Sequence, residues 1–230
     1  MLGFMQIFFV NETMASRSSL HLLGPLLAAM ALAAPAHAAS GCAGYAGELK
    51  VMVEVADAAR SRVDYLAAPN DREAAQRRAE LETAERANAE RLGAWLSACG
   101  WPRRSVEGPE AARNAWLVAQ QRRADLPFQR QVVRQLELAV LDGEAPAMHL
   151  AAASDRLAVQ ERRPQRYGTQ LRQADACGWD YYELDDLARV EARRKRLGLP
   201  PLEDHRRAIN AMAAAENCLA APADAISNAR

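Results

Sequence analysis

Histidine is scarce in this chain, with four in 230 residues, and two of them, His21 and His37, fall in an N-terminal segment with the pattern of a removable leader. Only His149 and His205 are then left for acid–base or metal work, which excludes a His-rich zinc site and weakens any Ser-His or Cys-His triad. No metal and no cofactor are expected. Lysine is scarcer still, Lys50 and Lys195 alone, so arginine carries the positive charge, and with abundant alanine this reads as GC-rich codon usage. Charge of one sign is missing too: 29 Lys and Arg face 29 Asp and Glu. No net field recruits nucleic acid or an anionic membrane. There is no Gly-x-Ser-x-Gly elbow, no Gly-rich phosphate loop and no Cys-x-x-Cys, so the common enzyme signatures are absent. Nor does any run alternate with period two for long enough to suggest a strand.

What is there begins with Arg17, followed by an apolar run from Leu20 to Ala34 and the ending Pro35-Ala36-His37-Ala38. A basic start, a short apolar stretch and a small-x-small end describe a secretory signal peptide, and the run is too short to span a bilayer. Residues 1–38 are therefore expected to be removed, with translation from Met14 because Glu12 is foreign to such a start. Residues 39–219 are expected to form one exported domain, periplasmic or extracellular, and 220–230 a flexible tail.

All four cysteines lie after the leader, where export favours disulfides. The expectation is two bridges, Cys42 with Cys218 tying the termini and Cys99 with Cys177, which share the tetrapeptide Ala-Cys-Gly-Trp. The rival reading treats Ala39-Ser40-Gly41-Cys42 as a lipobox with Cys42 acylated and the protein lipid-anchored.

The rest is helical in pattern, an all-α bundle of about six or seven helices. Residues 47–67 place Leu49, Met52, Val53, Ala56, Ala59, Val63 and Leu66 on one stripe. Asn70 with Glu73 resembles a capping box for a second helix to about Ala98, stopped by Gly100 and Pro102. Pro109, Pro127 and Pro146 each open a further helix, the last ending near Pro164. Residues 162–183 are read as an ordered loop. Asp185 or Asp186 caps a helix ending at Gly198, and a last one spans about 202–219. Arg193-Arg194-Lys195-Arg196 occupies a last helical turn, where cations suit the macrodipole, and reads as a solvated face rather than a nucleic-acid surface.

The polar cluster Asp155, Arg156, Gln165, Tyr167, Thr169 and Gln170 is the candidate site, because loops on a rigid scaffold carry binding groups. The alternative is a structural network, with a buried Arg156 fixing the loop through its carbonyls and Tyr167 plugging the core. His149 and His205 read as a surface or capping residue and as the polar first turn of a helix.

Trp116-Leu117-Val118-Ala119-Gln120, the run Leu150 to Gln170 ending in Tyr167-Gly168-Thr169-Gln170, and Leu197-Gly198-Leu199-Pro200-Pro201-Leu202 resemble a bacterial family known as domain of unknown function 6624, over about residues 80–205. The resemblance implies no particular activity, cofactor or catalytic residue. In the family pattern a His follows the Gln matching Gln120, whereas Gln121 stands here; an acid–base step resting on that His would be missing. The leading expectation is an exported noncatalytic protein that binds a small ligand or an envelope partner through the 155–170 segment. The alternatives are a hydrolase of an envelope polymer, with Asp155 or Glu161 as general acid or base, and an assembly protein offering an apolar stripe.

Overall fold

A computed structural model describes residues 42–174 and 178–213. The leader, the tail, Cys177 and Cys218 lie outside the described residues. Among these are seven helices: α1 (Tyr45–Arg60), α2 (Arg72–Cys99), α3 (Pro109–Gln121), α4 (Leu126–Leu141), α5 (Ala147–Gln160), α6 (Leu187–Arg196) and α7 (Leu202–Ala213). α1 packs on α2 and α3, α2 on α3 and α4, and α4 on α5. One core joins these five helices, built from Leu49, Met52, Leu92, Leu96, Val118, Val132, Leu136 and Leu150 with alanines between them. Each such Leu, Met or Val contributes about 1.5–3 kcal/mol by leaving water.

Local chemistry sets the helix boundaries. α1 stops at Arg60, short of the expected 67, because the Asp64 carboxylate accepts the Leu66 amide at 2.8 Å and offers the backbone a non-helical turn. Leu66 is consequently 97 % exposed instead of lying on the stripe. Asp71, not Asn70, caps α2, its side chain accepting from the Ala74 amide at 3.0 Å. Asp125 does the same for α4 at the Phe128 amide, 3.1 Å, with Pro127 inside the first turn. Asp186 caps α6.

The 162–183 segment is not wholly irregular. Leu171–Gln173 (β1) pairs antiparallel with Trp179–Tyr181 (β2), Leu171 opposite Tyr181 and Gln173 opposite Trp179. Three-residue strands are too short to display a period, which is why alternation does not signal them. Tyr181, Val190 and Leu202 form a second small core joining β2, α6 and α7.

The disulfide pairing departs from expectation. Cys42 is bonded to Cys99, with Cα atoms 5.9 Å apart, and therefore to neither Cys218 nor Cys177 in the expected pairs. The reason is the α1–α2 hairpin. It brings the start of α1 to the end of α2, where Tyr45 stacks on Trp95 at 4.7 Å and its hydroxyl donates to the Gly100 carbonyl at 3.4 Å.

Candidate functional site

α5 is buried nearly all round in its middle, with Ala151, Ala152 and Ala153 allowing close approach of neighbouring backbone. Two consecutive residues after that stretch point about 100° apart and do different work.

Asp155 turns into the protein and is fully buried. One of its oxygens accepts the Arg166 and Tyr167 amides at 2.7 and 3.0 Å; the other accepts the Thr169 amide at 2.9 Å and the Thr169 hydroxyl at 3.0 Å. Burial pushes its carboxyl above the ordinary value, against the pull of these donors. Gln165, also fully buried, accepts the Thr169 and Gln170 amides at 3.1 and 2.7 Å. Its amide nitrogen donates to the Gln170 and Tyr182 carbonyls, each at 3.0 Å. The Gln170 side chain, half-buried, donates to the Thr169 hydroxyl at 3.0 Å and reaches the Ala152 carbonyl at 3.4 Å. Tyr167 is buried in the wall of the same loop.

From the other side the loop is gripped by Arg194. Its guanidinium donates to the Tyr167 carbonyl at 2.7 Å, the Gly168 carbonyl at 3.1 Å and the Pro200 carbonyl at 2.6 Å. The loop amides thus face a carboxylate and its carbonyls a guanidinium. The carbonyl-fixing role expected of Arg156 belongs to Arg194. The solvated reading of the basic run is corrected accordingly, since Arg194 is fully buried while its neighbours in that turn are not. The signal was legible: Arg194 follows buried Val190 by four residues, on the apolar stripe of α6.

Arg156 points instead toward α3. Its guanidinium donates to the Gln120 side-chain oxygen and lies 5.7 Å from the centre of the Trp116 ring. His149, two turns earlier on α5, stacks on the same indole at 4.2 Å with planes 5° apart. Seven residues of helix rise about 10.5 Å, so two side chains two turns apart on α5 reach the same indole. His149 is therefore neither a cap nor a solvated residue, and burial pushes its pKa down to about 4. Arg123 stands beside this group, its Nε donating to the Gln120 carbonyl at 3.0 Å. Burial, and then the charge of Arg123, push Arg156 down to about 10.

Hydrogen-bonding capacity is left over here. Arg156 Nε, Gln120 Nε2 and His149 Nδ1 are buried and have no partner. Among the described residues no carboxylate pairs with Arg156 or Arg123. An unpaired buried charge is expensive, and so is an unfilled buried donor. Of the six expected site residues, then, Asp155, Gln165, Tyr167, Thr169 and Gln170 come together around one loop, and Arg156 joins a different set. Trp116, Gln120, Arg123 and His149 complete that second set, which the sequence alone does not assemble. The spacings Trp116 to Gln120 and His149 to Arg156 each mark one helix face, but only packing shows that the two faces meet.

Glu161 lies elsewhere, held below the usual carboxylate range by hydrogen bonds from Arg163 and Arg130. Behind the loop the Tyr181 hydroxyl sits 2.8 Å from His205 Nδ1 and 2.9 Å from the carbonyl of Leu202, whose side chain lies against Gly168. Burial, with the nearby Arg194 charge, lowers His205 to about 4. Among the described residues no three His, Cys, Asp or Glu side chains converge as metal ligands would. No described helix is long and apolar enough to cross a membrane.

A family model described as "Family of unknown function (DUF6624)" matches residues 44–215, a span that takes in α1 as well as the motif-bearing helices. No curated protein and no solved structure matches the chain.

Proposed function

The chain belongs to the DUF6624 family of unknown function, and we propose that it is an exported, noncatalytic protein that binds a small ligand or an envelope partner where α3 meets α5, with Arg156 as the principal contact. Export rests on the leader pattern of residues 1–38. With Cys42 and Cys99 already joined, the second bridge that export favours would link Cys177 to Cys218. Asp155, Gln165, Tyr167 and Thr169 act in this reading as the scaffold that holds the end of α5 in place, and Gln170 flanks it.

The observation that carries the proposal is a guanidinium sunk between two helices with an unpartnered Nε and no described carboxylate beside it. Other arginines of this molecule hold more partners: Arg194 makes three donor contacts to carbonyls, although its Nη2 is likewise buried without one, and Arg193 pairs with Asp185 at 2.7 Å.

The test is a native and denatured mass measurement on protein taken from its own host's envelope, beside an Arg156→Ala variant checked by circular dichroism. The expected result is a chain starting at Ala39, lighter by four hydrogens when oxidised, and carrying extra native mass that the folded variant loses. A variant that unfolds, with no extra mass on the wild type, would make Arg156 structural and end the binding reading.

One observation favours the hydrolase alternative: burial raises Asp155, the direction a general acid requires. Against it, all four contacts of that carboxylate are with the loop it organises. Turnover of an envelope polymer that disappears in a folded Asp155→Asn variant would establish it.

A further inference from the structure

We infer that the group met by Arg156 is an anion, a carboxylate or a phosphate, held jointly by Arg156, Arg123 and the Gln120 amide against the aromatic wall of Trp116 and His149. The inference rests on the binding reading above and adds the chemistry of the ligand. It follows from an inventory of what is unfilled. The Gln120 side-chain oxygen already accepts from Arg156, and because a guanidinium only donates, the amide orientation is settled by chemistry: the nitrogen, with two hydrogens, is the atom left over. Gln120 is 9 % exposed, and that nitrogen has no partner. Arg156 Nε is a second unfilled donor. Arg123 uses its Nε on the Gln120 carbonyl, and its four remaining N–H groups have no partner among the protein's described residues.

Every one of these groups donates, and two carry like charge close enough for Arg123 to act on Arg156. Glu85, whose charge is felt by Arg123, is paired with Arg60 at 3.0 Å. A neutral ligand would leave the two guanidiniums repelling each other in a poorly hydrated setting; a water would satisfy donors without cancelling charge. An anion does both, through charge-assisted hydrogen bonds that the planar guanidinium fork is shaped to make. The indole, stacked on the imidazole and lying against the guanidinium, lines one side of the group with apolar ring surface.

The Trp116 ring lies against Arg156, so its emission reports on the guanidinium. Tryptophan fluorescence would be followed while inorganic phosphate or sodium acetate is added to the full chain, with sodium chloride matched for ionic strength. The expected result is a saturable change with one of the two anions, assigning the ligand's group as phosphate or carboxylate. It should weaken at least tenfold in Arg156→Gln and in Arg123→Gln. In Trp116→Phe the optical change should vanish. If Arg156→Gln fails to fold, Arg123→Gln carries the test. No saturable response to either anion, with ligand mass still lost from the folded Arg156→Ala variant, overturns the anion inference and leaves the binding reading standing. No response together with no retained ligand mass overturns both.

Discussion

Asp155 is a buried carboxylate whose three amide donors and one hydroxyl donor leave it no acceptor role for anything outside the loop. Replacing it with asparagine keeps the shape and inverts half the chemistry, since the amide nitrogen would be pushed against loop amides that also donate. Asp155→Asn is expected to destabilise the fold by about 3–5 kcal/mol, the cost of leaving buried donors and the facing Arg194 charge uncompensated. Urea unfolding measures it, and a loss under about 1 kcal/mol would show the loop holds without the carboxylate. Gly168 belongs to the same device. It sits at φ 67°, where side chains are strained, and a Cβ there would lie 2.4 Å from Leu202 Cδ2. That close approach lets α7's first residue press on the loop, and it accounts for a glycine between Tyr167 and Thr169.

Among the elements, the α1–α2 hairpin is the one fastened covalently. The Cys42–Cys99 bridge closes a segment of 57 residues' separation, which in the chain-entropy account is worth about 4 kcal/mol by restricting the unfolded chain. Cys42→Ser is therefore expected to lower the urea midpoint sharply while leaving the helical signal of the folded protein intact. Local packing at the joint, Tyr45 on Trp95, would hold α1 in place in the folded state without the bridge. If the midpoint of the wild type does not respond to reduction, the bridge contributes nothing. The same sulfur bears on anchoring, because a Cys42 Sγ committed to a disulfide has no valence for a thioether-linked lipid. α2 illustrates the opposite regime. Between Ala74 and Asn88 none of its residues is buried, and it is laced by pairs such as Arg77 with Glu73 at 3.4 Å, each worth a few tenths of a kcal/mol.

Across the whole molecule the two histidines make stability depend on pH. Both are half-buried, with pKa values lowered to about 4, against about 6.5 in an unfolded chain. Above pH 6.5 both are neutral in either state and their contribution is complete. Between 6.5 and 4 the unfolded chain takes up protons that the native one refuses, so stability falls with falling pH, and below about 4 the contribution is gone. At most about 3 kcal/mol per histidine is lost over that window. Asp155, shifted upward, titrates with the opposite sign. Chemical denaturation at pH 7.5 and 4.5 of the wild type and of His149→Gln with His205→Gln isolates the histidine part; equal slopes in the two would refute it.

Much of this fold was legible in the residues. Proline, glycine and aspartate punctuate the chain, and each boundary they mark is a local event, a lost amide donor or a cap within three residues, so α2 to α7 fall within a few residues of their expected starts. The carboxylate Asp155 and the loop 165–170 could be read together as one polar unit, because the donors and acceptors lie close along the chain. What sequence could not supply is which surfaces meet. Nothing near Cys42 says that α1 folds back along α2 and delivers it to Cys99. Nothing near Trp116 says that its ring meets both His149 and Arg156. Arg194 has the composition of a surface run and the position of a core residue. Short-range hydrogen bonds and chain stiffness decide elements, and they act between neighbours that sequence lists in order. Pairing of cysteines, burial of a charge and convergence of donors depend on contacts between residues far apart in the chain, and only the packed tertiary structure selects among the many that composition allows.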